Sequence, residues 1–270
     1  IIGCFKKIVI ADQAAVFSNE IFSSPSDYTF LLSGVGILAF SFQIYFDFSG
    51  YTDMARGLGY LLGYKLPENF LHPYGSLGIR EFWRRWHLSL SSWLKDYLYI
   101  SLGGSRGTSF KTKFNLIITM LLGGLWHGAS WNFVIWGAVH GLLLSFENYL
   151  TQNYNWTINS KIFDVFLRIF TYLLVCFAWV FFRAETFNDA ILVFNALFTI
   201  PGTNLFHQID YFGLRNWIFG IFIPFFIIII GAINPINKNF NKNKYFGMII
   251  TIILLLIILI VGGGGNEFIY

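Results

Sequence analysis

Residues Glu81 to Tyr97 read E-F-W-R-R-W-H-L-S-L-S-S-W-L-K-D-Y, and residues Leu121 to Gly141 read L-L-G-G-L-W-H-G-A-S-W-N-F-V-I-W-G-A-V-H-G. Together they hold His87, His127 and His140, three of the chain's five histidines, each beside or near a tryptophan. Everything around them is apolar enough to belong in a bilayer. An imidazole in such surroundings has few reasons to be there beyond a hydrogen bond or proton chemistry.

The whole chain fits that setting. Of its 270 residues 56% are hydrophobic, 20% aromatic and only 12% charged, with a mean hydropathy of +0.60. A soluble domain is typically about one quarter charged. The composition therefore predicts an all-α integral membrane protein, a multi-span helical bundle over residues 1–270 in a single domain. The net charge of +4 sits in short clusters beside apolar segments. That is the pattern of positive-inside loops rather than of a nucleic-acid-binding face. Cys4 and Cys176 lack metal-ligand spacing and read as small core residues.

Working outward, residues 1–28 carry Lys6, Lys7, Asp12 and Glu20 at helical spacing and predict an amphipathic helix on the membrane surface. Thr29 to Phe48 supplies about 20 mostly apolar residues, enough to cross. Asp47, Asp53 and Arg56 follow, either facing a cavity or lying at an interfacial turn. The loop of Pro67, Asn69 and Pro73 then predicts a re-entrant or interfacial element. Arg80 to Ile100 reads as one amphipathic helix, with Trp86, Leu90, Trp93 and Tyr97 on a single stripe and Glu81 pairing with Arg84 or Arg85.

Phe114 to Trp126 is apolar for about 13 residues, roughly 20 Å of helix, too short to cross alone. That length predicts His127 within the membrane. Trp131 to Leu150, Phe163 to Phe182, Trp217 to Ile233 and Phe246 to Val261 read as further helices, with an interfacial segment at Ala190 to Ile200. The basic residues from Arg80 to Lys113 and the lysines of Asn237 to Lys244 assign both regions to the cytoplasmic side.

Buried His127 is the better general base, since a neutral imidazole takes a proton from a hydroxyl and returns it to a leaving group. A structural histidine hydrogen-bonded to backbone remains the competing reading for it, and His140 reads as a substrate contact or a packed polar group. His72 and His207 read as turn residues. Gly103-Gly104-Ser105-Arg106-Gly107 has the composition of a phosphate-cradling turn, or simply of a solvated loop. The zinc spacings H-x-x-x-H and H-E-x-x-H are absent.

Phe82 to Arg106, Leu121 to Gly141 and F-Q-I-Y-F-D-F-S-G-Y-T-D-M-A (Phe42 to Ala55) together resemble the membrane-bound O-acyltransferase family, in its bacterial polysaccharide branch. The resemblance implies re-entrant or interfacial helices around a tunnel, in the inner membrane of a bacterium. It places the family's essential histidine on His127 and the second active-site position, which is Asn, Asp or His across the family, on His87. Trp126, Asp47, Asp53, His140 and Arg106 are then candidate substrate-binding residues. No bound cofactor is implied. The acyl donor is a substrate, expected to be acetyl-CoA used from the cytoplasmic side, and the acceptor is a polysaccharide or an export-side acyltransferase partner. Family members carry further N-terminal spans, so the chain reads as a fragment. D-alanyl transfer to teichoic acid, a transporter or channel, and a non-catalytic scaffold are the alternatives.

Overall fold

In an apolar surrounding a backbone N–H or C=O has to pair within its own segment, and the helix is the local way to do so. The computed structural model describes residues 1–154, 160–200, 209–233 and 244–262. Among them the elements are helical. In chain order they are α1 (Ile2–Cys4), α2 (Asp12–Ser23), α3 (Phe30–Leu61), α4 (Ile79–Trp83), α5 (Leu88–Trp93), α6 (Ser109–His127), α7 (Trp131–Asn153), α8 (Lys161–Arg183), α9 (Phe187–Ala196), α10 (Gly213–Asn216), α11 (Ile223–Ile233) and α12 (Lys244–Val261). Wider π-helical turns occupy Phe5–Ala11, Leu94–Tyr99 and Trp217–Phe222. Three described helices are long and apolar enough to cross a membrane: Phe30–Leu61, Lys161–Arg183 and Gly213–Gly231.

The chain divides into two compact units, one of residues 1–68 with 191–270 and one of residues 69–190. In the first, α3 is the central helix and α2 lies against it. Phe17, Ile21, Leu32, Ala39 and Phe212 form its core, with Phe17 and Phe212 stacked at 4.4 Å. Charge is buried here too. Lys7 Nζ lies 3.0 Å from a carboxylate oxygen of Asp12 and 3.0 Å from one of Asp47. Lys6 meets Asp53 at 2.7 Å, and Asp53 also faces Arg56.

The second unit is built on the antiparallel hairpin of α6 and α7. The two helices touch backbone to backbone. A Cβ on Gly137 would run into the Met120 carbonyl, and one on Gly124 into that of Phe133. Any larger residue at either position forces the pair apart. α8 turns Trp179 and Val175 inward and leaves Ile162, Phe166, Ile169, Phe170, Leu173 and Phe177 exposed. Such an outward apolar face on a helix with a buried opposite side is what lipid contact requires.

Between residues 79 and 107 the chain travels along this hairpin and returns. Arg80 hydrogen-bonds Glu147 and Asn148 of α7 through its backbone N–H and its guanidinium. Trp83 reaches His140, two turns nearer the hairpin's closed end. The return limb sets Leu94 against Gly123 and Gly104 against Asn115, whose Nδ2 donates to the Gly104 carbonyl at 2.9 Å. His87 sits at the turn between the limbs.

Several expectations change. The charged face expected of residues 1–28 is not solvent-facing throughout: Lys7, Asp12, Gln13 and Ser18 are buried, and Lys7 is neutralised there by Asp12 and Asp47. Asp47, Asp53 and Arg56 belong to the body of α3, which runs to Leu61 rather than ending at an interfacial turn. The helix carrying His127 begins at Ser109 and has 19 residues, about 28 Å at 1.5 Å per residue. Its first turns are polar, with Lys111 and Lys113, so its apolar part stays short as expected, and it is not among the described helices apolar enough to cross a membrane. Arg80 to Ile100 is not one helix. It is broken at His87, with Trp86 buried and Trp93 and Tyr97 exposed, so the expected stripe does not exist. Glu81 pairs with Arg85 as expected. The segment from Ala190 is part of α9, which ends at Ala196. His207 and most of the lysine loop at 237–244 fall outside the described residues.

Replacing Lys7 by Met removes the cation that lies between Asp12 and Asp47. Breaking a buried ion pair from one side costs about 3–5 kcal/mol. Thermal unfolding of the intact protein in detergent should show a lowered midpoint for Lys7→Met and a much smaller change for exposed Lys95→Met; equal midpoints for Lys7→Met and the unmodified protein would contradict the assignment.

Candidate active site

His127 is the last residue of α6, where Gly128 with φ 158° lets the chain leave the helix. Ser130 caps the following helix by accepting from the Asn132 N–H, and Asn132 Nδ2 donates to the Ala184 carbonyl at 2.7 Å, fixing the start of α7 to the end of α8. The imidazole is thereby set among rings. Trp126 and Phe182 lie 4.9 Å away and Trp136 5.3 Å away, each roughly edge-on. It is half-buried, with exposed Trp126 and Trp131 beside it.

His87 stands in the left-handed region, with φ 44° and ψ 59°. That conformation is uncommon for a residue with a Cβ, although histidine, like Asn and Asp, adopts it more readily than most. Its side chain turns back to cap α5: Nδ1 accepts from the Leu90 N–H at 3.3 Å, and the Ser89 hydroxyl lies 3.3 Å from the same nitrogen. The other N–H groups of the first turn are also occupied. Leu88 donates to the Asn69 carbonyl at 3.0 Å and Ser89 to Asn69 Oδ1 at 3.1 Å.

A nitrogen that accepts a backbone N–H carries no proton of its own. In the neutral ring the proton is therefore on Nε2, and His87 presents a fixed donor. Burial is the larger cause that lowers its pKa from 6.5 to about 4, and the proximity of His127 is the second. The two imidazoles thus feel each other's charge.

Behind the pair lies a wall of packed aromatic rings. His140 is fully buried and accepts the Trp83 indole N–H on Nδ1 at 3.3 Å. Trp136 stands between the rings of His127 and His140, 5.3 Å from one and 5.0 Å from the other. Trp86 packs on Trp179 at 5.1 Å, and Trp179 Nε1 donates to the Tyr74 hydroxyl at 3.2 Å.

Of the residues singled out in the sequence, His87, His127, His140 and Trp126 are thus brought into one neighbourhood. His140 presents no surface in this conformation and holds Trp83. Arg106 is exposed on the glycine turn, where Gly103, Gly104 and Gly107 all have positive φ. Asp47 and Asp53 belong to the other unit, each engaged by a lysine. Sequence reasoning missed Asn69, Phe182 and Glu147 as parts of this arrangement. Asn69 and Glu147 act through contacts 20 and 67 positions away in sequence, and no local periodicity announces such partners.

Comparison with known proteins identifies the family. The model of the membrane-bound O-acyltransferase family matches residues 2–185. A protein of Azotobacter vinelandii named "probable alginate O-acetylase AlgI" is 51% identical over 197 residues, covering 73% of this chain and 38% of the relative. A peptidoglycan O-acetyltransferase of Helicobacter pylori is 43% identical over 209 residues, 76% of this chain and 39% of the relative. A teichoic acid D-alanyltransferase of Bacillus subtilis is 30% identical over 159 residues, 55% of this chain and 40% of the relative. The chain spans about two fifths of the length of these relatives.

An imidazole that is neutral when folded but free to protonate when unfolded makes stability depend on pH. The unfolded chain binds the extra proton between pH 6.5 and about 4, so the contribution of His87 to stability is whole above pH 6.5 and declines as the pH falls through that window. Histidine NMR of the intact protein should find His87 neutral at pH 5.5, with its proton on Nε2 and a titration midpoint near 4; a midpoint at 6.5 or a proton on Nδ1 would contradict the geometry.

Proposed function

The chain belongs to the membrane-bound O-acyltransferase family, and on that premise we propose that it transfers an acetyl group from a thioester, acetyl-CoA, towards hydroxyl groups of a cell-surface polysaccharide. The transfer takes place in the inner membrane of a bacterium, either directly or through an export-side acyltransferase partner. What supports this reading is the relation between two histidines with different commitments: His127 with its ring among apolar neighbours, and His87 with Nδ1 occupied by the Leu90 N–H, which puts the ring's proton on Nε2.

In the reaction we assign, His127 accepts the proton of the acceptor hydroxyl as that oxygen attacks the thioester carbonyl carbon. The new C–O bond forms, negative charge collects on the carbonyl oxygen, and the His87 Nε2–H donates to it. When the C–S bond breaks, the sulfur leaves as a thiolate and takes the proton from His127. The carbonyls at the C-terminal end of α6 favour the positive charge that His127 carries meanwhile. The aromatic wall of Trp136 and Phe182 keeps water from competing as acceptor.

The relatives named for alginate and peptidoglycan acetylation support acetyl transfer to a polysaccharide, and their identities of 51% and 43% exceed the 30% of the D-alanyltransferase. A transporter or a scaffold needs no histidine held in a strained, tautomer-fixing turn.

Membranes bearing the intact protein, supplied with radiolabelled acetyl-CoA and polysaccharide acceptor, test the assignment. His127→Ala should lower transfer by about 10²–10⁴-fold, the range for a general base. His87→Ala should cost about 10²–10³-fold, as for a lost oxyanion donor. His87→Asn should stay within about tenfold of the unmodified protein, because Asn tolerates the left-handed turn, caps with Oδ1 and donates with Nδ2. Normal transfer by His127→Ala, or equal loss in His87→Asn and His87→Ala, would overturn these roles.

A further inference from the structure

Residues 80–100 have the periodicity of a continuous amphipathic helix, yet the chain breaks at His87. A break there leaves the N–H groups of Leu88, Ser89 and Leu90 without intrahelical partners. Acceptors supplied to these first-turn N–H groups favour the broken chain over the unbroken helix. Two of the three are taken by one residue, Asn69: its backbone carbonyl accepts from Leu88 at 3.0 Å and its Oδ1 from Ser89 at 3.1 Å.

Asn69 is itself held in place. Its neighbour Phe70 packs edge-on against Trp86 with ring centroids 5.0 Å apart, and the Leu71 N–H donates to the Arg85 carbonyl at 2.9 Å. Residues 69–71 thus run beside 85–89 and grip both flanks of His87. The third N–H, that of Leu90, is left for His87 Nδ1.

We propose that Asn69 is a positioning residue for the acyl-transfer site, holding His87 in the left-handed turn that commits Nδ1 to the cap and leaves the proton on Nε2. This rests on the role assigned above to His87. Without the Oδ1 acceptor, residue 87 relaxes towards right-handed helix, α4 and α5 merge, and the imidazole loses both its direction and its tautomer. The Asn69-Phe70-Leu71 segment is then part of the site although it contributes no group to the chemistry.

The test uses the intact protein in nanodiscs, with acetyl-transfer kinetics and ¹⁵N-histidine NMR read side by side. Asn69→Ala should lower kcat about tenfold, the loss of roughly one hydrogen bond's worth of turn stability, with KM for acetyl-CoA unchanged. The His87 signal should change from a single Nε2–H form to a mixture of tautomers. Asn69→Asp is isosteric, keeps an oxygen acceptor and should restore both kcat and the tautomer. Its carboxylate beside His87 should also raise the imidazole's titration midpoint, because a nearby negative charge favours the protonated ring.

A single Nε2–H form in Asn69→Ala with unchanged kcat would overturn the proposal. So would an unmoved His87 midpoint in Asn69→Asp, a variant that answers the question even where Asn69→Ala fails to accumulate. If the unmodified protein transferred no acetyl group, the acyltransferase reading would fail, while the NMR comparison would still decide whether Asn69 sets the turn.

Discussion

Three N–H groups at the start of a short helix have to be satisfied before His87 can occupy its turn. A left-handed residue with a Cβ costs roughly 1–2 kcal/mol, and a side-chain acceptor on a first-turn N–H stabilises a helix start by about 0.5–2 kcal/mol. The strain alone would favour the continuous helix. Asn69 and the His87 side chain reverse that balance by filling all three positions. The same contact that stabilises the backbone fixes the proton on the ring, so local structure and chemistry have one cause.

Polar groups elsewhere in the chain are treated in the same way. Lys7 enters an apolar helix pair because Asp12 and Asp47 receive it. Glu147 receives the Arg80 N–H at the start of α4, and His140 receives the Trp83 indole. These bonds attach the limb that leads to His87 onto α7 at two heights. Rings then fill the remaining space, with Trp83, Trp136, Trp179 and Phe182 in mutual edge or stacked contact. A wall packed in this way has little freedom to let the two imidazoles wander, which is what preorganised transfer requires.

Much of the helical membrane fold could be read from composition and segment length, because apolar length is a property of consecutive residues. The histidines could be read as well, since tryptophans in the same short stretches mark them. What could not be read was the break at His87. Trp86, Leu90, Trp93 and Tyr97 keep a faultless helical spacing, and the partner that defeats it, Asn69, lies in a loop whose prolines drew attention instead. The burial of Lys7 and Asp12 was hidden for a similar reason: they look like surface charge until Asp47, far along the chain, is set beside them.

The most direct test of the site is a structure of the intact protein bound to a non-hydrolysable thioester analogue of acetyl-CoA. The account places the analogue's carbonyl oxygen about 3 Å from His87 Nε2, with Nδ1 still receiving the Leu90 N–H and His127 open on the side from which a hydroxyl would attack. A carbonyl bound elsewhere, or a His87 whose Nδ1 turns to meet it while the left-handed turn dissolves, would contradict the account.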